Sequence, residues 1–265
     1  MKQRLRIALA FAVACTMLFT ASAGYGEGGS IPTYEVFPQK LNDPGYIMEH
    51  GMGGVKLEMT PSEDGAVLTS ELGDYDLMLD SRTGCFHFLR PNTYPHVFGL
   101  GEMDRAWLSD EDKMRLSDEP GLYTPEEAAE AGLQFLRDVM GMDTSFLYAR
   151  EIMAGEAAKE RSCVYLIKYA YRVPEMRVGW WSTLDIEAAF VYMWIADSGV
   201  DEVRGRAVSF APYGEVARAD ILAYDTIADL AQNPTPPELM YLPLQREGKE
   251  VLSPVWGIQL DVDNP

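Results

Sequence analysis

Three histidines, His50, His87 and His96, are all the imidazole in the chain, and none stands in a His-Glu-x-x-His helix or at a zinc-ligand spacing. A zinc hydrolase is not expected. Cys85 and His87 lie two apart in the strand-like run 85–90 (CFHFLR), so they share one face while Phe86 and Phe88 take the other. A thiol beside an imidazole suits nucleophilic catalysis, but neighbours along one strand rarely reach that geometry. The expectation is that the phenylalanines face the core and Cys85 and His87 the more exposed side. No Gly-x-Ser-x-Gly elbow occurs. Gly99-Leu100-Gly101 lacks the further glycine and helix start of a dinucleotide fingerprint, and there is no Walker-type loop.

Two richer clusters remain. Asp104, Asp110, Glu111, Asp112, Asp118 and Glu119 offer hard oxygen ligands, yet no glycine sits where an EF-hand loop makes its sharp turn, so 101–120 reads as a solvated acidic connector. Glu126 and Glu127 complement a helix dipole. The aromatic set is Trp180, Trp181, Tyr192 and Trp194, with Tyr165, Tyr169 and Tyr171 on one alternating face. It is either a sheet face covered by a helix or a surface that stacks on sugars or on a partner peptide. Trp180 and Trp181 follow Gly179 at a strand connection, where large apolar side chains are costly unless used. They are the candidate partner-binding residues, with a core anchor as the competing role for one of them. No residue is assigned to catalysis, to a cofactor or to a metal.

Composition narrows the function classes. Of 265 residues, 47% are hydrophobic and 24% charged, enough to bury a real core. Lys and Arg number 22 against 41 Asp and Glu, a formal charge of −19. That balance argues against nucleic acid as a partner, and against docking of the folded part on an anionic membrane.

The start of the chain carries an address. Lys2, Arg4 and Arg6 precede an apolar run at 7–20, and Ala21-Ser22-Ala23 supplies the small residues a signal peptidase reads. Residues 1–23 are expected to be a signal peptide cleaved after Ala23, leaving a mature chain of charge −22 in an extracytoplasmic, secreted or envelope-associated location. Membrane attachment would come only from an uncleaved signal or from lipidation at Cys15, where Val13-Ala14-Cys15 is a poor lipobox. After cleavage Cys85 and Cys163 remain. They are either two buried thiols or a disulfide, whose 78-residue separation would make it worth roughly 4 kcal/mol.

These residues need elements to position them. Residues 24–53, rich in Gly and Pro, read as a flexible lead-in, with folding from Val55. Strands are expected at 55–59, 66–72, 75–80 and 85–90, within a strand-rich subdomain at 54–100. Ser81-Arg82-Thr83-Gly84 turns the last two into a hairpin. After the connector, an α+β domain fills 121–265. Thr124, Pro125 and Glu127 start a helix that Gly141 stops, with Ala128, Ala131, Phe135 and Val139 as its inward stripe. Strands follow at 146–153, 163–173, 186–196 and 202–210, then a short helix at 224–232 and closing strands at 238–244 and 251–262 around Glu247-Gly248. The fold class is α+β, mainly antiparallel, with one strong helix (124–140) and one short one.

The hairpin Tyr75–Gly84 resembles the strand, Asp, turn, Thr-Gly, strand ending of PepSY-type domains, and the Thr-Pro-Glu-Glu-Ala helix start at 124–128 is similar to theirs. Tyr241-Leu242-Pro243-Leu244 with Val251-Leu252-Ser253-Pro254-Val255-Trp256 resembles the Pro-Val-Trp ending of YycI-type extracytoplasmic regulators and related exported bacterial proteins, many of them lipoproteins. The resemblance implies a non-enzymatic α+β regulator of the cell envelope, acting by contact with an envelope protein partner and using no cofactor. The alternative is an extracytoplasmic hydrolase or carbohydrate-binding accessory protein using the tryptophans and the acidic loop.

Overall fold

Period-two runs fold as antiparallel strands in a computed structural model that describes residues 29–54, 59–72, 75–90, 123–155, 164–173, 176–179, 190–196, 199–221, 226–227 and 237–257. The chain makes β1 (Ser30–Pro38), α1 (Pro44–Gly51), β2 (Thr60–Pro61), β3 (Val67–Leu72), β4 (Tyr75–Asp80) and β5 (Cys85–Leu89). Then come α2 (Pro125–Gln134), β6 (Leu147–Gly155), β7 (Val164–Val173), β8 (Met176–Arg177), β9 (Phe190–Ala196), β10 (Gly199–Arg206), β11 (Val208–Ala217), β12 (Glu238–Arg246) and β13 (Lys249–Gly257). One sheet runs β11-β1-β13-β12; the other runs β2-β3-β4-β5-β10-β9-β7-β6, with β8 beside β7. The class is α+β with mainly antiparallel pairing.

The expected lead-in at 24–53 is replaced, from Ser30, by β1 and α1. β1 pairs with β11 from Ser30↔Ala217 to Pro38↔Val208. β13 meets it only at Tyr34 and Glu35, so at Pro32 and Pro38 one side of β1 is an edge, where a proline's missing N–H is tolerated. In α1, Pro44 opens the first turn and the Asp43 carboxylate accepts from the Gly45 and Tyr46 N–H groups, while Ile47 and Met48 are fully buried. Among the described residues, Pro32 and Pro38 are strand residues of β1 and Pro44 opens a helix.

The division between 54–100 and 121–265 also gives way, because β5 pairs along β10 from Cys85↔Arg206 to Leu89↔Glu202 and places early and late strands in one sheet. The expected strand 202–210 is two strands in two sheets. Ala207 is the crossing, its N–H donating to the Gly84 carbonyl and its carbonyl accepting from Gln39. Gly205, at φ 152°, packs so closely on the Phe190 carbonyl that a side chain would overlap it. Arg206 locks the crossing: its guanidinium takes Glu250 of β13 in two bonds of 2.7 and 2.6 Å and donates to the Thr83 carbonyl.

α2 opens on the expected capping box, the Thr124 hydroxyl accepting from Glu127 N–H and the Glu127 carboxylate from Thr124 N–H. The helix then widens into a π turn at Phe135–Val139. Its buried stripe is Ala128, Ala129, Gly132, Phe135, Leu136 and Met140; Ala131 and Val139, expected inward, are half-buried. The helix is turned by Gly132, which lets it sit against Tyr169, Met193 and Ile195 of the sheet. The Tyr169 hydroxyl donates to the Ala129 carbonyl, and burial pushes its pKa well above the usual tyrosine range. Beside them Tyr165, Ile167 and Tyr171 of β7 and Val191 of β9 complete this side of the main core.

The hairpin turns hold, with Gly84 at φ 79° and Glu247-Gly248 at φ 52° and 78° between β12 and β13. The strand expected at 251–262 is described to Gly257 as part of β13, and that at 186–196 from Phe190. Residues 1–28, the connector 101–120, most of 55–59 and all but 226–227 of the helix expected at 224–232 lie outside the described residues.

Candidate functional site: a basic and aromatic sheet face

Because side chains alternate along each strand, the face of the large sheet opposite α2 is defined by register. One straight row crosses six strands: Glu151 on β6, Lys168 on β7, Tyr192 on β9, Arg204 on β10, His87 on β5 and Met78 on β4. A neighbouring row aligns Leu166, Trp194 and Glu202. Phe190, Tyr192 and Trp194 form a second buried cluster here with Leu166, Ala170 and Ala196, and half-buried Tyr148 packs on it.

The aromatic rings carry cations. The Lys168 ammonium stands 4.2 Å from the Phe190 ring centre and 5.6 Å from that of Tyr192. Arg204 lies over Trp194 at 5.2 Å and Tyr192 at 5.7 Å, Arg150 over Phe190 at 5.7 Å, and Arg172 over Tyr148 at 4.4 Å. Burial lowers the Lys168 pKa, aided by nearby Arg150 and opposed by Glu151 at 3.8 Å. Glu202 is buried, its Oε1 3.0 Å from His87 Nε2, and its Oε2 has no hydrogen-bond partner among the described residues. Arg150, Lys168, Arg172, Arg177 and Arg204 thus gather on β6 to β10 in a chain of net charge −19. The exposed positions are Arg150 and Arg172, at the β6 side of the face.

The residues singled out from the sequence are distributed unevenly. Cys85 and His87 share a face, and Phe86 and Phe88 are fully buried on the other. Cys85 is a half-buried free thiol opposite Arg206, and His87 faces Glu202. Tyr165, Tyr169 and Tyr171 are buried on the α2 side, apart from Tyr192 and Trp194 on the opposite face, so the aromatic set is split by the sheet. His50 is exposed on α1 and stacks on Tyr46. Cys163, Trp180, Trp181 and His96 lie outside the described residues; Gly179, just before the tryptophans, is tied by its N–H to the Tyr241 carbonyl. Among the described residues no group of three His, Cys, Asp or Glu is placed to hold a metal.

Sequence reasoning missed Tyr148, Arg150, Lys168, Arg172, Phe190 and Arg204. The signal was present in part: Lys168 and Arg172 are four apart on one strand, and Glu202 and Arg204 two apart on another, so each pair shares a face.

No family model matches the chain, and no curated protein matches it. A crystal structure of an uncharacterized protein from Eubacterium rectale ATCC 33656 is similar at 9% identity, over 91% of this chain and 82% of that one, with a TM-score of 0.41.

Proposed function

We propose that the protein is an exported, non-enzymatic binding or regulatory protein of the bacterial cell envelope that works by contact with an envelope protein through its basic and aromatic face. The observation that carries the reading is the gathering on that face of arginines and a lysine over aromatic rings, in a strongly acidic chain. Arg, Tyr and Trp are the residues that most often dominate binding energy at protein interfaces. The charged start, apolar run and Ala-Ser-Ala of residues 1–23 support export, and the PepSY and YycI likeness of the hairpin and C-terminal motifs supports regulation. The reading keeps Trp180 and Trp181 as further contact residues and a short second helix at 224–232.

Charge reversal tests it. Replacing exposed Arg150 and Arg172 together by Glu should leave the unfolding midpoint within a few degrees of wild type and lower recovery of the chemically cross-linked envelope complex about tenfold or more. Undiminished recovery would overturn the proposal.

A further inference from the structure

At the β6 edge of this face lies a cleft of about 290 Å³ lined by Ser145, Phe146, Leu147, Tyr148 and Arg172. Its frame is fixed. The Arg172 N–H donates to the Phe146 carbonyl at 2.8 Å, the Phe146 ring packs edge-on against Phe210 at 5.3 Å, and Leu147 is buried. The turn that precedes it is braced by the Asp143 carboxylate, which accepts from the Ser145 N–H, and by the Asp143 N–H, which donates to Gln39.

Arg172 is the chemical feature of the cleft. Its guanidinium is held over the Tyr148 ring at 4.4 Å, and among the described residues it has no acceptor for its N–H donors and no carboxylate partner. It also stands directly opposite Arg177 in the β7–β8 pair, a like-charge juxtaposition that costs stability. Glu238 relieves only one of the two, bonding Arg177 at 2.6 Å. The geometry therefore presents a planar cation, pre-oriented by stacking and short of one negative charge, beside an apolar wall.

We propose that this cleft seats a Glu or Asp side-chain carboxylate from an acidic peptide segment of a partner protein, an inference that rests on the contact reading above. A carboxylate matches the guanidinium fork in two parallel hydrogen bonds, and its single charge is balanced by Arg172, the one arginine of the cleft lining. A phosphate dianion would call for more positive charge than the cleft lining offers. Half-buried Phe146 gives the methylenes of the acidic residue an apolar surface, and Ser145 adds a hydroxyl at the rim.

The test is titration of the ¹⁵N-labelled full chain with N-acetyl-glutamate N-methylamide, which carries only the side-chain carboxylate. Saturable shifts are expected at Ser145–Tyr148 and at Arg172 Nε, in about the millimolar range for one charge-assisted pair. Arg172→Gln should weaken them about tenfold or more, Arg172→Lys should recover only part, and the glutamine analogue should give none. Dispersed wild-type-like spectra of both variants show that folding is kept. No saturable shift with the glutamate probe, equal shifts with the glutamine analogue, or tighter binding of inorganic phosphate would each overturn the assignment. Failure here with success in the Arg150/Arg172 charge reversal removes the carboxylate seat and leaves the contact reading standing; failure of both removes the reading itself.

Discussion

Arg206→Ala should destabilise the protein by about 2–4 kcal/mol, read from the urea midpoint at constant slope. The guanidinium sits where the chain crosses from β10 to β11, and it fastens the large sheet to the small one through the double bond to Glu250 and the bond to the Thr83 carbonyl. Its side chain is 12% exposed and that of Glu250 19%, so the loss falls below that of a fully buried pair. Truncation leaves the Glu250 carboxylate and the Thr83 carbonyl without their donor and opens space beneath them. Combining Arg206→Met with Glu250→Leu should restore most of the loss, because the cost lies in the orphaned charge more than in the pair. A change under about 1 kcal/mol for Arg206→Ala would show that the two sheets are held together elsewhere.

Phe135→Ala should cost about 3–5 kcal/mol by the same measurement. Phe135 is 8% exposed at the point where α2 widens into the π turn, and its ring lies against Gly51 at the end of α1. Gly51 leaves room for that ring beside Val139, so the aromatic side chain is a main part of the contact between the two helices, and alanine would leave a cavity there. A loss below about 1 kcal/mol would mean that this face of the helix is not core.

Local signals and long-range ones were legible to different degrees. The capping box at Thr124 and Glu127, the Gly84 turn and the Glu247-Gly248 turn are contained within a few residues, and each stands in the structure where its chemistry requires. β7 was legible because its run of aromatic and branched apolar residues continues for ten residues. β1 and α1 were hidden because Pro32, Pro38 and Pro44 read as breaks, whereas two stand where β1 has a free side and the third at a helix start. The split at Ala207 was invisible because Glu202–Phe210 keeps one β-rich run while changing sheets, a change set by pairing partners more than a hundred residues away. The candidate site had the same difficulty. Glu151, Lys168, Tyr192, Arg204 and His87 come from five strands, and only their mutual register places them in one row. Sequence spacing shows which residues of one strand share a face, but the two-sided division of Tyr169 from Tyr192 needs the pairing itself.

The most direct test of the contact role uses a photo-cross-linking benzoylphenylalanine in place of Tyr148, beside the exposed Arg172, compared with the same group in place of Tyr46, which is 42% exposed on α1 away from the basic and aromatic face. In intact cells, irradiation should join position 148 to one discrete envelope protein, and the adduct should disappear when Arg150 and Arg172 are replaced by Glu. Position 46 should give no such band. Absence of an adduct at 148, or the same adduct from both positions, would contradict the assignment of this face as the working surface of the protein.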